Sequence, residues 1–165
     1  MKNKVSKETN ILDLIILTFL PLFLSGIVSF IISDMKNIYQ NIKKPFFSPP
    51  GFIFPIVWTI LYILMGYASY RIYKLKKHNI DVSSALFVYF IQLGLNMLWP
   101  ILFFGLRLYG LAFIEIIILI LFIIFTIYRF YKKDGVISLI LLLPYFVWTI
   151  YASVLNFYIW MLNEM

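Results

Sequence analysis

Val82–Leu106 reads VSSALFVYFIQLGLNMLWPILFFGL, 25 consecutive residues without a charged side chain. As an α-helix rising about 1.5 Å per residue, this run is long enough to cross about 30 Å of hydrocarbon. It is not uniformly apolar. Gln92, Asn96, Trp99 and Phe103 follow one another at spacings of four, three and four, which holds them within about 60° of one another around a helix. A carboxamide facing acyl chains has no hydrogen-bond partner, so this face must look into a bundle, toward another helix, a water-lined cavity or a ligand. Interhelical hydrogen bonding alone accounts for the two amides as well as a binding site does. Pro100 removes a backbone N–H and predicts a kink near Asn96.

Four more apolar runs of spanning length flank this one: Ile11–Ser33, Phe52–Tyr70, Leu108–Tyr128 and Val136–Leu162. Together they predict an all-α integral membrane protein, a single domain over residues 1–165 built as a five-transmembrane-helix bundle. Composition agrees. The chain is 63% hydrophobic, 20% aromatic and 13% charged, against about 45–50% apolar and about 25% charged in soluble domains. Cysteine is absent and the single histidine, His78, sits in a lysine-rich stretch. No disulfide framework, thiol nucleophile or Cys/His metal site can be assembled from this chain, and no cofactor is expected to be required. A glycine-rich phosphate loop and a paired carboxylate set are also missing. The net charge of +7 resides between the apolar runs, so membrane lipid headgroups, and not nucleic acid, are the expected partner.

Lys and Arg are retained on the cytoplasmic side. Five spans put Lys2, Lys4, Lys7, Arg71, Lys74, Lys76, Lys77, Arg129, Lys132 and Lys133 on one side, against Lys36, Lys43, Lys44 and Arg107 on the other. The N-terminus is therefore expected in the cytoplasm and the C-terminus outside. The first run is read as a membrane helix and not a signal peptide, because it is longer than a signal core and no A-x-A site follows. On it, Ser25, Ser29 and Ser33 recur every four residues beside Gly26, predicting a small-residue face against which a neighbouring helix packs closely. Pro21 lies mid-span and predicts a bend. The connector Asp34–Gly51 carries Pro45, Pro49 and Pro50 among Tyr39, Phe46 and Phe47. It is too stiff and too apolar for a slack linker and is expected to fold back over the bundle mouth.

Two other spans carry polar or aromatic residues at helical spacing. Trp148, Ala152 and Asn156 are spaced by four, with Tyr145 and Leu155 near the same side, and small Ala152 leaves a recess. Trp58, Tyr62 and Gly66 are likewise a turn apart. Aromatic walls with a few amides suit a flat, mostly apolar ligand. Porphyrins, sterols and planar drugs share that description. Glu115, the carboxylate deep in the fourth run, is expected to be structural, paired with Arg107 two turns earlier or with a donor from a neighbouring helix.

KKPFFSPPGFIFPIVWTILYILMGYA (Lys43–Ala68), QLGLNMLWPILFFGLRLYGLA (Gln92–Ala112) and LPYFVWTIYASVLNFYIWMLN (Leu143–Asn163) together resemble the TspO/MBR family of tryptophan-rich sensory and translocator proteins. The patterns KPxxxPP, VWxxLYxxMGxA, LNxxWxxLFFGxR and PYxxWxxxAxxLN carry the resemblance, in the family's order and spacing. It covers spans two, three and five and the long loop; spans one and four match in length and hydrophobicity only. The resemblance implies a bundle, often a homodimer, whose pocket beneath the 34–51 loop binds tetrapyrroles such as protoporphyrin and benzodiazepine-like planar drugs, for sensing, sequestration or transport. It implies that Tyr39, Trp58, Asn96, Trp148, Ala152 and Leu155 line the pocket and that Pro49 and Pro50 shape its lid; Phe47, Phe54, Tyr62, Gln92, Trp99 and Phe103 complete the candidate set. Some bacterial members degrade porphyrin with light and oxygen through pocket tryptophans, and by resemblance the candidates are Trp58 and Trp148. A transporter or regulatory scaffold is the remaining alternative. Phe47 and Ile38 stand where the family has tryptophans, which alters stacking at the lid. Pro100 stands where the family has a small hydroxyl residue. Met161 replaces a basic residue and no Lys or Arg follows Tyr158, so the sterol-recognition pattern is incomplete and sterol binding does not carry over.

Overall fold

The computed structural model describes residues 10–165; Lys2, Lys4 and Lys7 lie outside them. Among the described residues the chain forms six α-helices and no strand: α1 (Ile11–Ile31), α2 (Met35–Asn41), α3 (Ile53–Lys74), α4 (Ser83–Pro100), α5 (Tyr109–Asp134) and α6 (Val136–Asn163). All but α2 are long and apolar enough to cross a membrane. This is the five-helix bundle expected from the sequence. Helices dominate because lipid offers the backbone no hydrogen-bond partners, so each segment must satisfy its own. Phe30, Ile114, Leu121, Ile140 and Val147 stand exposed on the outer faces, the apolar girdle of an integral membrane protein.

Packing runs in the order α1–α3–α6–α5–α4 around the bundle, and α4 closes the ring with only slight contact to α1 and α3. α1 meets α3 most closely at Gly66, where an added Cβ would overlap the Thr18 carbonyl oxygen. Only a glycine permits that approach. The small-residue face expected to make the close contact, Ser25, Gly26 and Ser29, lies further along α1: Ser25 reaches the Tyr62 hydroxyl, but among the described residues a Cβ on Gly26 meets nothing within 4 Å. Its neighbour is empty space, because α1 is drawn onto α3 one to two turns earlier.

α3 and α5 outlast the apolar runs that announced them, ending at Lys74 and Asp134 instead of Tyr70 and Tyr128. Hydropathy marks where lipid stops, not where the helix does. The extensions are joined by a bidentate pair, Arg71 Nε and Nη2 each donating to Asp134 at 2.8 Å, and Ser138 Oγ also donates to Asp134, at 2.6 Å. A single residue, Gly135 at φ 72° and ψ −150°, links α5 to α6, a conformation open to glycine and strained for side-chain-bearing residues. At Pro100 the regular helix ends, and the chain widens into a π-helical turn over Ile101–Gly105, with Leu106 N–H donating to Ile101 O at 2.8 Å. The missing proline N–H is thus absorbed by widening the coil. Arg107 follows at φ 56° and is exposed.

Candidate ligand-binding cavity

The 34–51 segment is a folded lid. α2 brings Tyr39 inward, where its hydroxyl donates to Pro49 O at 2.8 Å and its ring meets Phe54 edge-on at 5.0 Å. Burial pushes the Tyr39 phenol up from its ordinary pKa, so it remains a donor well beyond neutral pH. Lys44 Nζ donates to the carbonyls of Tyr39, Gln40 and Ile42 at 2.5, 3.2 and 3.3 Å, satisfying the open C-terminal end of α2. Two contacts from α6 fasten the strap that follows. Tyr151 OH donates to Phe47 O at 3.0 Å. The Asn163 carboxamide grips the main chain of Lys43, accepting from its N–H at 3.1 Å and donating to its carbonyl at 2.9 Å.

Beneath α2, between α1, α3 and α4, lies a cavity of about 820 Å³, within the size range of drug and cofactor sites. α3 lines it with Phe54, Trp58 and Tyr62, and α4 with Asn96 and Trp99. α1 contributes its small-residue face. Trp58 stacks on Tyr62 at 5.3 Å and Trp99 on Phe103 at 4.8 Å, so each indole is backed by a second ring.

The amides fix the floor. Tyr62 OH donates to Asn96 Oδ1 at 2.8 Å, Asn96 Nδ2 donates to Tyr145 OH at 3.0 Å, and Tyr145 OH donates to Gln92 Oε1 at 2.8 Å. Trp99 Nε1 donates to Asn156 Oδ1 at 2.9 Å, and Asn156 Nδ2 donates to Tyr109 O at 2.8 Å. Asn96 keeps one N–H and acceptor capacity for the cavity.

Of the residues singled out in the sequence, Tyr39, Phe54, Trp58, Tyr62, Asn96 and Trp99 stand together around this space. Gln92 and Phe103 form the layer behind it. Phe47 turns edge-on to Tyr158 at 5.3 Å, in the strap over α6 with Pro49 and Pro50. Trp148 is not in the wall; it packs edge-on to Phe54 at 6.0 Å and beside Tyr151 at 5.3 Å, with its Nε1 buried and without a hydrogen-bond partner among the described residues. Ala152 and Leu155 border a separate crevice of about 10 Å³, room for one water at most. Tyr39, Phe54, Trp99 and Phe104 face both spaces, forming a partition of rings. The α1 wall, with Gly26, and the lid residue Lys36 were not among the candidates. The signal for Gly26 is the Ser/Gly pattern of α1, which reads as packing; Lys36 reaches the cavity through α2.

Glu115 is 5% exposed and neither carboxylate oxygen has a hydrogen-bond partner among the described residues. The pairing expected with Arg107 or a neighbouring donor does not form, because the turn after Gly105 leaves Arg107 exposed.

The sequence model of the TspO/MBR family matches residues 15–161. The chain is 40% identical over 156 residues to the tryptophan-rich protein TspO of Archaeoglobus fulgidus, covering 93% of this chain and 99% of that one. It is 34% identical over 125 residues to protein CrtK of Rhodobacter capsulatus, covering 76% and 78%, and 32% identical over 127 residues to the translocator protein of Homo sapiens, covering 76% and 75%.

Proposed function

The chain belongs to the TspO/MBR family, and on that premise we propose that its cavity binds tetrapyrroles and other planar, benzodiazepine-like molecules, so that the protein senses, sequesters or moves them. One observation carries the reading: an empty space of about 820 Å³ walled by Trp58, Trp99, Phe54 and Tyr39 with Asn96 at its floor. Rings offer a planar guest stacking surface, and the amide offers a single orienting hook. From the distribution of Lys and Arg we infer that the end bearing Arg71, Lys74, Lys76, Lys77, Arg129, Lys132 and Lys133 faces the cytoplasm, with the N-terminus, and that the C-terminus lies outside.

Gly26 supplies the test, because a side chain there enters open space and not a neighbouring helix. Gly26→Phe is expected to weaken protoporphyrin binding about tenfold or more, a loss of about 1.4 kcal/mol, while thermal unfolding in detergent stays within a few degrees of the parent. Undiminished binding in a folded Gly26→Phe protein overturns the assignment of this cavity.

A further inference from the structure

The lysines of the lid are not equivalent. Lys44 is consumed by the α2 carbonyls and lies 4.8 Å over the Tyr39 ring. Lys43 is held by its main chain to Asn163, and its side chain is not in the cavity wall. Lys36, one turn before Tyr39 and Gln40 on the same face of α2, does line the cavity and is exposed at its mouth. Among the described residues it has no carboxylate within ion-pair distance, and it is the only charged side chain in the wall, where no Asp or Glu appears. The hollow is therefore an aromatic chamber with one uncompensated positive charge at its lid. A guest seated there with an acidic end toward the lid would meet that charge. A neutral guest would fill the same walls and leave the ammonium to water.

We infer that Lys36 is the specificity-determining residue that makes this cavity prefer planar ligands carrying an anionic end over neutral ones of the same shape. The inference rests on the proposed binding role and adds to it the charge rule for the guest. The lysine stem spans from α2 to the rim while its head stays hydrated, so it acts at long reach and modest strength. An exposed pair of this kind is worth roughly a two- to fivefold preference and weakens as salt rises.

Purified protein in neutral detergent is titrated with protoporphyrin IX, a dicarboxylic acid, and with its dimethyl ester, following tryptophan fluorescence. The parent is expected to bind the acid about threefold more tightly than the ester at low salt, with the ratio falling toward one at high salt. Lys36→Gln is expected to abolish the ratio by weakening the acid alone, Lys36→Glu to invert it, and Lys43→Gln to preserve it. An acid-to-ester ratio that persists in Lys36→Gln, or that is one in the parent, overturns the role of Lys36 while leaving the binding function intact. Failure of the parent to bind either compound overturns the binding function and this inference together.

Discussion

The two sides of α4 meet their surroundings in opposite ways. Toward α5 and α6, it presents Gln92, Asn96 and Trp99 to a core in which Tyr145 and Asn156 answer them with hydrogen bonds of 2.8–3.0 Å, Asn156 being held in turn by the Tyr109 carbonyl. Toward α1, it presents Met97 and Pro100, with Asn96 and Trp99 at the boundary, to a hollow. The contrast follows from what drives association in lipid. Acyl chains are as apolar as leucine, so helices gain nothing by merely covering hydrophobic surface. They close where polar groups pair or where glycine lets backbones touch. The α4–α5–α6 side has the amides and phenols. α1 has one glycine-mediated contact, at Gly66, and only Thr18 and Pro21 buried along its whole length. Beyond that contact α1 meets the bundle only through partly buried side chains such as Leu22, Leu24 and Ser25, and the space stays open.

The largest effect is expected at Gly66. Gly66→Ala forces α1 off α3, and the expected cost is about 2 kcal/mol or more, read as a lower unfolding temperature in detergent, with protoporphyrin binding lost alongside because α1 forms a cavity wall. A folded, binding-competent Gly66→Ala protein would mean that the closest contact between these helices is dispensable. A smaller effect sharpens the contrast from the filled side. Tyr145→Phe removes the acceptor of Asn96 Nδ2 and the donor to Gln92 Oε1 and is expected to lower stability by about 1 kcal/mol, with ligand affinity changed less than twofold. A large affinity loss without a stability loss would move Tyr145 from scaffold to site.

Much of this was legible in the sequence. Runs of about 20 apolar residues gave the spans, since hydrocarbon thickness sets helix length. The four-three-four spacing from Gln92 to Phe103 gave the inward face of α4, and all four of those residues are buried. What hydropathy and spacing do not encode is whether an inward face meets atoms or space. Ser25, Gly26 and Ser29 read as a packing surface and border a void, and Ala152 read as a recess and borders about 10 Å³. The difference is decided by where α1 is tethered, which depends on Gly66 in another helix. Proximity along the chain pairs Glu115 with Arg107, but the left-handed turn at Arg107 is a local backbone event that the spacing does not encode. Lys36 counted only toward orientation; its place at the cavity mouth depends on the short helix α2, which the proline-rich stretch disguised as loop.

The central claim is that the binding space lies on the α1 side of the ring partition, against Trp58, and not on the α6 side, against Trp148. The direct measurement is the dissociation constant for protoporphyrin IX in Trp58→Ala and Trp148→Ala proteins, followed by the shift of the pigment's own absorption band. A loss of about tenfold, or about 1.4 kcal/mol, is expected for Trp58→Ala and a change of less than twofold for Trp148→Ala. Intact binding in Trp58→Ala together with a tenfold loss in Trp148→Ala would contradict this placement of the binding space.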